Sequence, residues 1–81
     1  MTQGQTQLPI VIDARGLNCP LPVLRLRKQL HGLAADAEIH LLATDPAALR
    51  DVPAFCEAQG HTLVSALSED GTTRFVIHKA T

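Results

Sequence analysis

One cysteine in this chain stands where its sulfur could react. Cys19 lies in Asp13-Ala14-Arg15-Gly16-Leu17-Asn18-Cys19-Pro20-Leu21-Pro22, a turn between an apolar run and an amphipathic one. Proline is tolerated in the first turn of a helix, because the N–H it lacks has no intrahelical partner there. Pro20 therefore reads as the first helical residue and Cys19 as the N-cap or its neighbour. That places the sulfur at the positive end of a helix dipole, which favours the thiolate, the nucleophilic form. With Arg15 nearby, the thiol is expected to titrate below the ~8.5 of a free cysteine. The missing N–H groups of Pro20 and Pro22 keep that drop modest and leave donors such as those of Leu21 and Val23. On the pattern alone a second reading stands beside this one, since free cysteine is often a small buried hydrophobe.

The neighbours of Cys19 bound its chemistry. No histidine lies close in sequence to act as a base, and no second cysteine sits two or three residues away. An enzyme needs a nucleophile, a base and charge stabilisers around a substrate pocket. A carrier needs only an accessible sulfur, with its partners supplying the rest, and the pattern fits the carrier better than a stand-alone enzyme. Asp13, Arg15, Gly16, Pro20 and Pro22 read as the residues supporting the turn. Asp13 is expected to bond the cysteine turn and Asp45 to cap a helix. Arg15, Arg25, Arg27 and Lys28 concentrate positive charge in this region. Leu21, Leu24, Arg25, Arg27 and Lys28 form a mixed apolar and cationic surface that suits docking to a partner. Cys56 shares helical spacing with Val52 and Phe55, which reads as a core face and a packing thiol. His31, His40, His61 and His78 are scattered, with no pair at metal-ligand spacing, so neither a metal nor another cofactor is expected.

The elements that must position Cys19 follow in order. Leu8-Pro9-Ile10-Val11-Ile12-Asp13 reads as the first strand. The first helix is expected from Pro20 to about His31, stopped by Gly32. Val23, Leu26, Leu30 and Leu33 make its core stripe, leaving Leu21 and Leu24 on the wrong side for a solvated face. Glu38 to Thr44 is the second strand, reached by a right-handed parallel crossover. Asp45-Pro46 starts the next helical segment. Pro53 should break it into a short turn, Pro46 to Arg50, and a main helix from about Asp51 to Gln59, ended by Gly60. Thr62 to Ser68 and Thr73 to Lys79 are strands joined by the hairpin turn Glu69-Asp70-Gly71-Thr72. Leu63, Leu67, Phe75 and Ile77 are their inward residues. The order βαβαββ folds most economically as a two-layer α/β sandwich of the α+β class, a four-stranded mixed sheet with two helices on one face.

Composition narrows the rest. The 81 residues are one domain's worth, with residues 1–7 as a polar, flexible tail and 8–81 as the folded unit. The chain is 46% apolar but has only two aromatics, Phe55 and Phe75, so its core is aliphatic. A net charge of −1 gives no general pull toward nucleic acid or anionic lipid. No apolar run is long enough for a membrane span. Two cysteines far apart form no disulfide framework, which fits a reducing cytoplasm. A monomer is the simplest expectation.

The segment Gly16-Leu17-Asn18-Cys19-Pro20-Leu21-Pro22 resembles the TusA/SirA family of sulfur carriers, whose signature is a Gly-Leu-x-Cys-Pro-x-Pro turn. Ala43-Thr44-Asp45-Pro46 and Phe55-Cys56-Glu57-Ala58-Gln59-Gly60-His61 look like that family's second strand end and second helix. The resemblance covers roughly residues 10–79 and implies the same fold, with sulfur carried as a persulfide on Cys19. It implies a cysteine desulfurase or other persulfide donor and a downstream sulfur-acceptor protein. In the best-known branch the relay ends in 2-thiouridine of tRNA; others serve sulfur oxidation, molybdenum cofactor or selenium metabolism. The family often has an acidic residue where this chain has Leu21, which leaves the branch open. Two rival readings remain. A small thiol redox protein is opposed by the missing Cys-x-x-Cys. A nucleic-acid-binding regulatory module on a similar scaffold is opposed by the balanced charge and the lack of Tyr and Trp.

Overall fold

Five residues, Ile10–Ala14, make strand β1, and they pair in parallel with β2, Glu38–Ala43. The register runs from Ile10 opposite Ile39 to Ala14 opposite Ala43. Parallel neighbours need a crossover, and helix α1, Leu21–Leu30, supplies it. Helix α2, Ala48–Gln59, follows β2, and strands β3, Thr62–Glu69, and β4, Thr72–His78, complete the chain. β4 lies antiparallel between β2 and β3, giving the sheet order β1-β2-β4-β3. These coordinates come from a computed structural model that describes residues 9–80. The expected tail at residues 1–7, the strand start at Leu8, and Thr81 lie outside the described residues.

The core fills one face of the sheet. Ile12 and Ala14 of β1, Ile39, Leu41 and Ala43 of β2, and Phe75 and Ile77 of β4 point into it, alternating as a half-buried sheet requires. Leu26 and Leu30 of α1 and Ala48, Val52 and Cys56 of α2 close it from the other side. This is the two-layer α+β arrangement expected. The first helix buries Pro22, Leu26 and Leu30, four residues apart, while Val23 and Leu33 pack at its margin. Leu21 and Leu24 remain about half exposed.

Four local expectations need correction. Helix α1 begins at Leu21, with Pro20 in the capping position and Pro22 inside the first turn. Its end unwinds through His31, Gly32 and Leu33 bonded three residues back, so Gly32 adopts no left-handed stop. The left-handed residue of that loop is Asp36, whose N–H reaches the Lys79 carbonyl. Helix α2 runs unbroken through Pro53. Ala48, Val52 and Cys56 form one buried stripe at spacing four, and only a continuous helix buries all three despite the N–H that Pro53 lacks.

Leu67 is the fourth correction, being 69% exposed. A bulge between Leu63 and Ser65 shifts the register of β3, so that Leu63 faces Ile77 but Ala66 faces Phe75. One inserted residue flips every later side chain to the other face. The two turn glycines behave as read: Gly60 ends α2 at φ +79°, and Asp70 and Gly71, both at positive φ, make the two-residue hairpin.

The burial contrast on α1 has a direct consequence. Leu26→Ala is expected to destabilise the protein by about 2–5 kcal/mol, the usual range for a core leucine. Leu24→Ala should stay within about 0.5 kcal/mol of the parent, as surface changes do. Urea unfolding of the two variants checks this, and comparable losses would mean that Leu24 packs in the core.

Candidate functional site at the two strand-to-helix turns

Because β1 and β2 are parallel neighbours, the turns that leave them emerge at the same end of the sheet. The β1–α1 turn carries Cys19 and the β2–α2 turn carries Asp45. They are laced together: the Gly16 N–H donates to Thr44 Oγ1 at 2.9 Å, and the Cys19 N–H donates to Asp45 Oδ2. Asp45 Oδ1 takes the Ala47 N–H at 3.1 Å, so one carboxylate ties its own turn and the cysteine's. Within the first turn, Leu17 N–H bonds the Ala14 carbonyl, and Gly16 adopts φ +80°.

The sulfur of Cys19 is exposed. Its thiol donates to Asp51 Oδ2 at 3.0 Å, in the first turn of α2. The other oxygen of Asp51 accepts from Arg50 Nε at 3.1 Å. A thiol that donates to a carboxylate keeps its proton. The hydrogen bond to Asp51, partial desolvation and the negative charges of Asp51 and Asp45 push Cys19 above the ordinary thiol range, with Arg50 opposing weakly. The same bond holds Asp51 below the usual carboxylate range.

This overturns the expected depression of the thiol's pKa. The Leu21 N–H is already given to the Asn18 carbonyl at 2.8 Å, and Pro20 and Pro22 offer none. The Val23 N–H is the donor left at the helix start among the described residues, and the carboxylates outweigh it at the sulfur. Arg15 does not act on it either. Its guanidinium pairs with Asp13 through Nε and Nη2, both at 2.9 Å, and its N–H donates to Asp13 Oδ1. Arg15 holds Asp13 at about 2, and Arg25 adds a bond to the Asp13 carbonyl at 3.2 Å. Asp13 thus bonds the cysteine turn at Arg15, while the charges around the sulfur are Asp51, Asp45 and Arg50.

The other candidates separate. Leu17, Leu21, Leu24, Arg25 and Lys28 line one shallow groove of about 210 Å³ beside the cysteine turn. Arg27 points elsewhere, into a cleft with His31, Phe55, His61 and Lys79 between the far parts of the two helices. Cys56 is 2% exposed, and burial pushes its thiol up to about 11. His61 accepts the Ala80 N–H, and His40 and His78 both bond Glu38 on the open face of the sheet. Among the described residues no group of three His, Cys, Asp or Glu side chains is arranged to hold a metal ion. None of their helices is long and apolar enough to cross a membrane.

Asp51 is the residue that sequence reasoning missed. A signal was present: two parallel βα units put both helix starts at one end, so an acid early in α2 must be weighed as a neighbour of Cys19.

The comparisons with known proteins agree with this architecture. The family described as Sulfurtransferase TusA matches residues 10–79. The sulfur carrier protein TusA of Allochromatium vinosum is 41% identical over 69 residues, covering 85% of this chain and 91% of that protein. That of Pseudomonas entomophila is 46% identical over 68 residues, covering 84% and 85%. A crystal structure of a SirA-like protein from Desulfitobacterium hafniense superposes with a TM-score of 0.78 at 28% identity, covering 89% of this chain and 99% of that one. With most of its length matched by the family and by relatives of this identity, the chain belongs to the TusA family.

Proposed function

We propose that this protein carries sulfane sulfur as a persulfide on Cys19, taking it from a donor such as a cysteine desulfurase and passing it to an acceptor protein. The observation that carries the reading is the exposed Cys19 sulfur, held at the open end of the sheet in the Cys-Pro-x-Pro turn. Relatives over the same span are named sulfur carrier proteins. The electrostatics support a carrier over a self-sufficient enzyme. Catalytic cysteines are commonly activated by a lowered pKa, whereas the carboxylates here keep the resting sulfur a thiol. Such a thiol reacts when a partner's site supplies the activation. A dithiol redox role is disfavoured, because the second cysteine, Cys56, is enclosed in the core. The cytoplasmic relay ending in tRNA 2-thiouridine is the leading pathway, with sulfur oxidation, molybdenum cofactor and selenium metabolism as the others.

Incubation with a desulfurase and cysteine, followed by intact mass, tests the carrier role. The parent chain and Cys56→Ala are expected to gain sulfur and Cys19→Ser to gain none. Loading of Cys19→Ser at the parent level would overturn the assignment.

The groove along α1 is the proposed docking face. Leu21 and Leu24 supply apolar anchors, and Lys28 supplies a cation with no ion pair among the described residues beside the sulfur's turn. Arg25 shares the groove but also bonds the Asp13 carbonyl, so Leu24 and Lys28 make the cleaner probe. Leu24→Ser with Lys28→Glu should keep the fold and slow transfer from the donor protein roughly tenfold, a loss of about 1.4 kcal/mol of docking energy. Loading from a small-molecule persulfide should be unchanged. Unchanged protein-to-protein transfer would place the docking face elsewhere.

A further inference from the structure

Asp51 touches the reacting sulfur, and the carrier role as such assigns it nothing to do. Its geometry is specific. Oδ2 accepts the Cys19 S–H at 3.0 Å, and Oδ1 is held by Arg50 Nε at 3.1 Å, which fixes the plane of the carboxylate. Its side chain is only 27% exposed, whereas that of Arg50 is 80% exposed. Asp45 binds the Cys19 main chain and leaves the sulfur to Asp51. On the β1–α1 side, Arg15 and Arg25 are committed to Asp13, and among the described residues Arg50 is the cation that opposes the acids at the sulfur. We propose that Asp51 is a catalytic residue of the carrier cycle: its carboxylate holds the empty Cys19 as a hydrogen-bonded thiol and, once a second sulfur is attached, keeps that outer sulfur in its protonated, transferable form. The inference rests on the persulfide reading above.

The chemistry balances without an oxidant or reductant. In loading, Cys19 gives up its proton and its thiolate attacks the outer sulfur of a donor persulfide, R–S–S–H. A new S–S bond forms to Cys19, the donor's S–S bond breaks, and the donor leaves as a thiolate that takes up the released proton. In discharge, an acceptor thiolate attacks the outer sulfur now on Cys19. The electron pair of the broken bond goes to Cys19 Sγ, which is reprotonated and regains its bond to Asp51. The outer sulfur can be attacked only while it is neutral, because a perthiolate repels an incoming thiolate. Persulfides are more acidic than thiols, so this condition fails as the pH rises unless the anion is disfavoured. A neighbouring carboxylate disfavours it. The groups that set this balance are Asp51 and Asp45 against Arg50.

Asp51→Asn tests the inference, since the amide oxygen can still accept the S–H while the charge is gone. For the empty protein, the midpoint of Cys19 alkylation against pH is expected to fall, because the charge that disfavours the thiolate is gone. For protein loaded from a small-molecule persulfide, cyanide removal of the outer sulfur is followed as thiocyanate against pH. The parent should keep its rate to higher pH than Asp51→Asn, with a several-fold advantage where the variant's persulfide has ionised. Asp51→Glu restores the charge and should move both profiles back toward the parent. A purely structural role for Asp51 would lower the melting temperature without moving either profile. A chain that loads and discharges sulfur with the same pH profiles in both forms overturns the inference alone. A chain that takes no sulfur on Cys19 overturns the carrier reading and the inference with it.

Discussion

The parallel pairing of β1 with β2 is the constraint on which the site depends. Two parallel neighbours, each followed by a helix, deliver both strand-to-helix turns to the carboxyl end of the sheet, where α/β proteins place their ligands. Three contacts cross from one strand–helix unit to the other: Gly16 to Thr44, Cys19 N–H to Asp45, and Cys19 Sγ to Asp51. Had β1 and β2 paired antiparallel, Cys19 and Asp51 would lie at opposite ends of the sheet. The antiparallel half, β3 and β4, contributes Phe75 and Ile77 to the core and gives β2 its second partner. It supplies none of the groups bonded to the sulfur.

Two effects compete at that sulfur, and their sizes decide the outcome. A helix start offers partial positive charge through unpaired N–H groups, worth about 0.3–1 kcal/mol to an exposed anion. Here Pro20 and Pro22 have no such group and Leu21 has given its own away. Against this residue of a dipole stand a full negative charge in hydrogen-bond contact and a second carboxylate at the Cys19 amide. Arg50 could reverse the balance, but it is directed at Asp51 and lies mostly in solvent, where screening weakens it. The acid prevails, and the sulfur rests as a thiol.

Much of this was legible in the sequence, and the failures have physical causes. The six elements follow from period-two and period-four apolar spacing, and the hairpin from Asp70-Gly71. Leu67 misled because a bulge is invisible to a strict alternation count; only the register against β4 exposes the extra residue. Pro53 misled because a local rule was set against a tertiary gain, the joint burial of Ala48, Val52 and Cys56, which outweighs one lost hydrogen bond. The electrostatics of Cys19 misled for a related reason. Arg15 is near in sequence and Asp51 is far, yet the fold brings Asp51 to the sulfur and turns Arg15 toward Asp13.

That inversion also shapes how a partner can reach the sulfur. The groove belongs to α1 and the turn before it, whereas the acid belongs to α2. A protein seated on Leu21, Leu24 and Lys28 would engage the chain without displacing the carboxylate from the sulfur. A docking face on α1 and an acid on α2 would then act from different helices, held in register by the Cys19–Asp45 bond between their turns. Substitutions along α1 would then alter the docking surface while leaving in place the α2 carboxylate that contacts the sulfur.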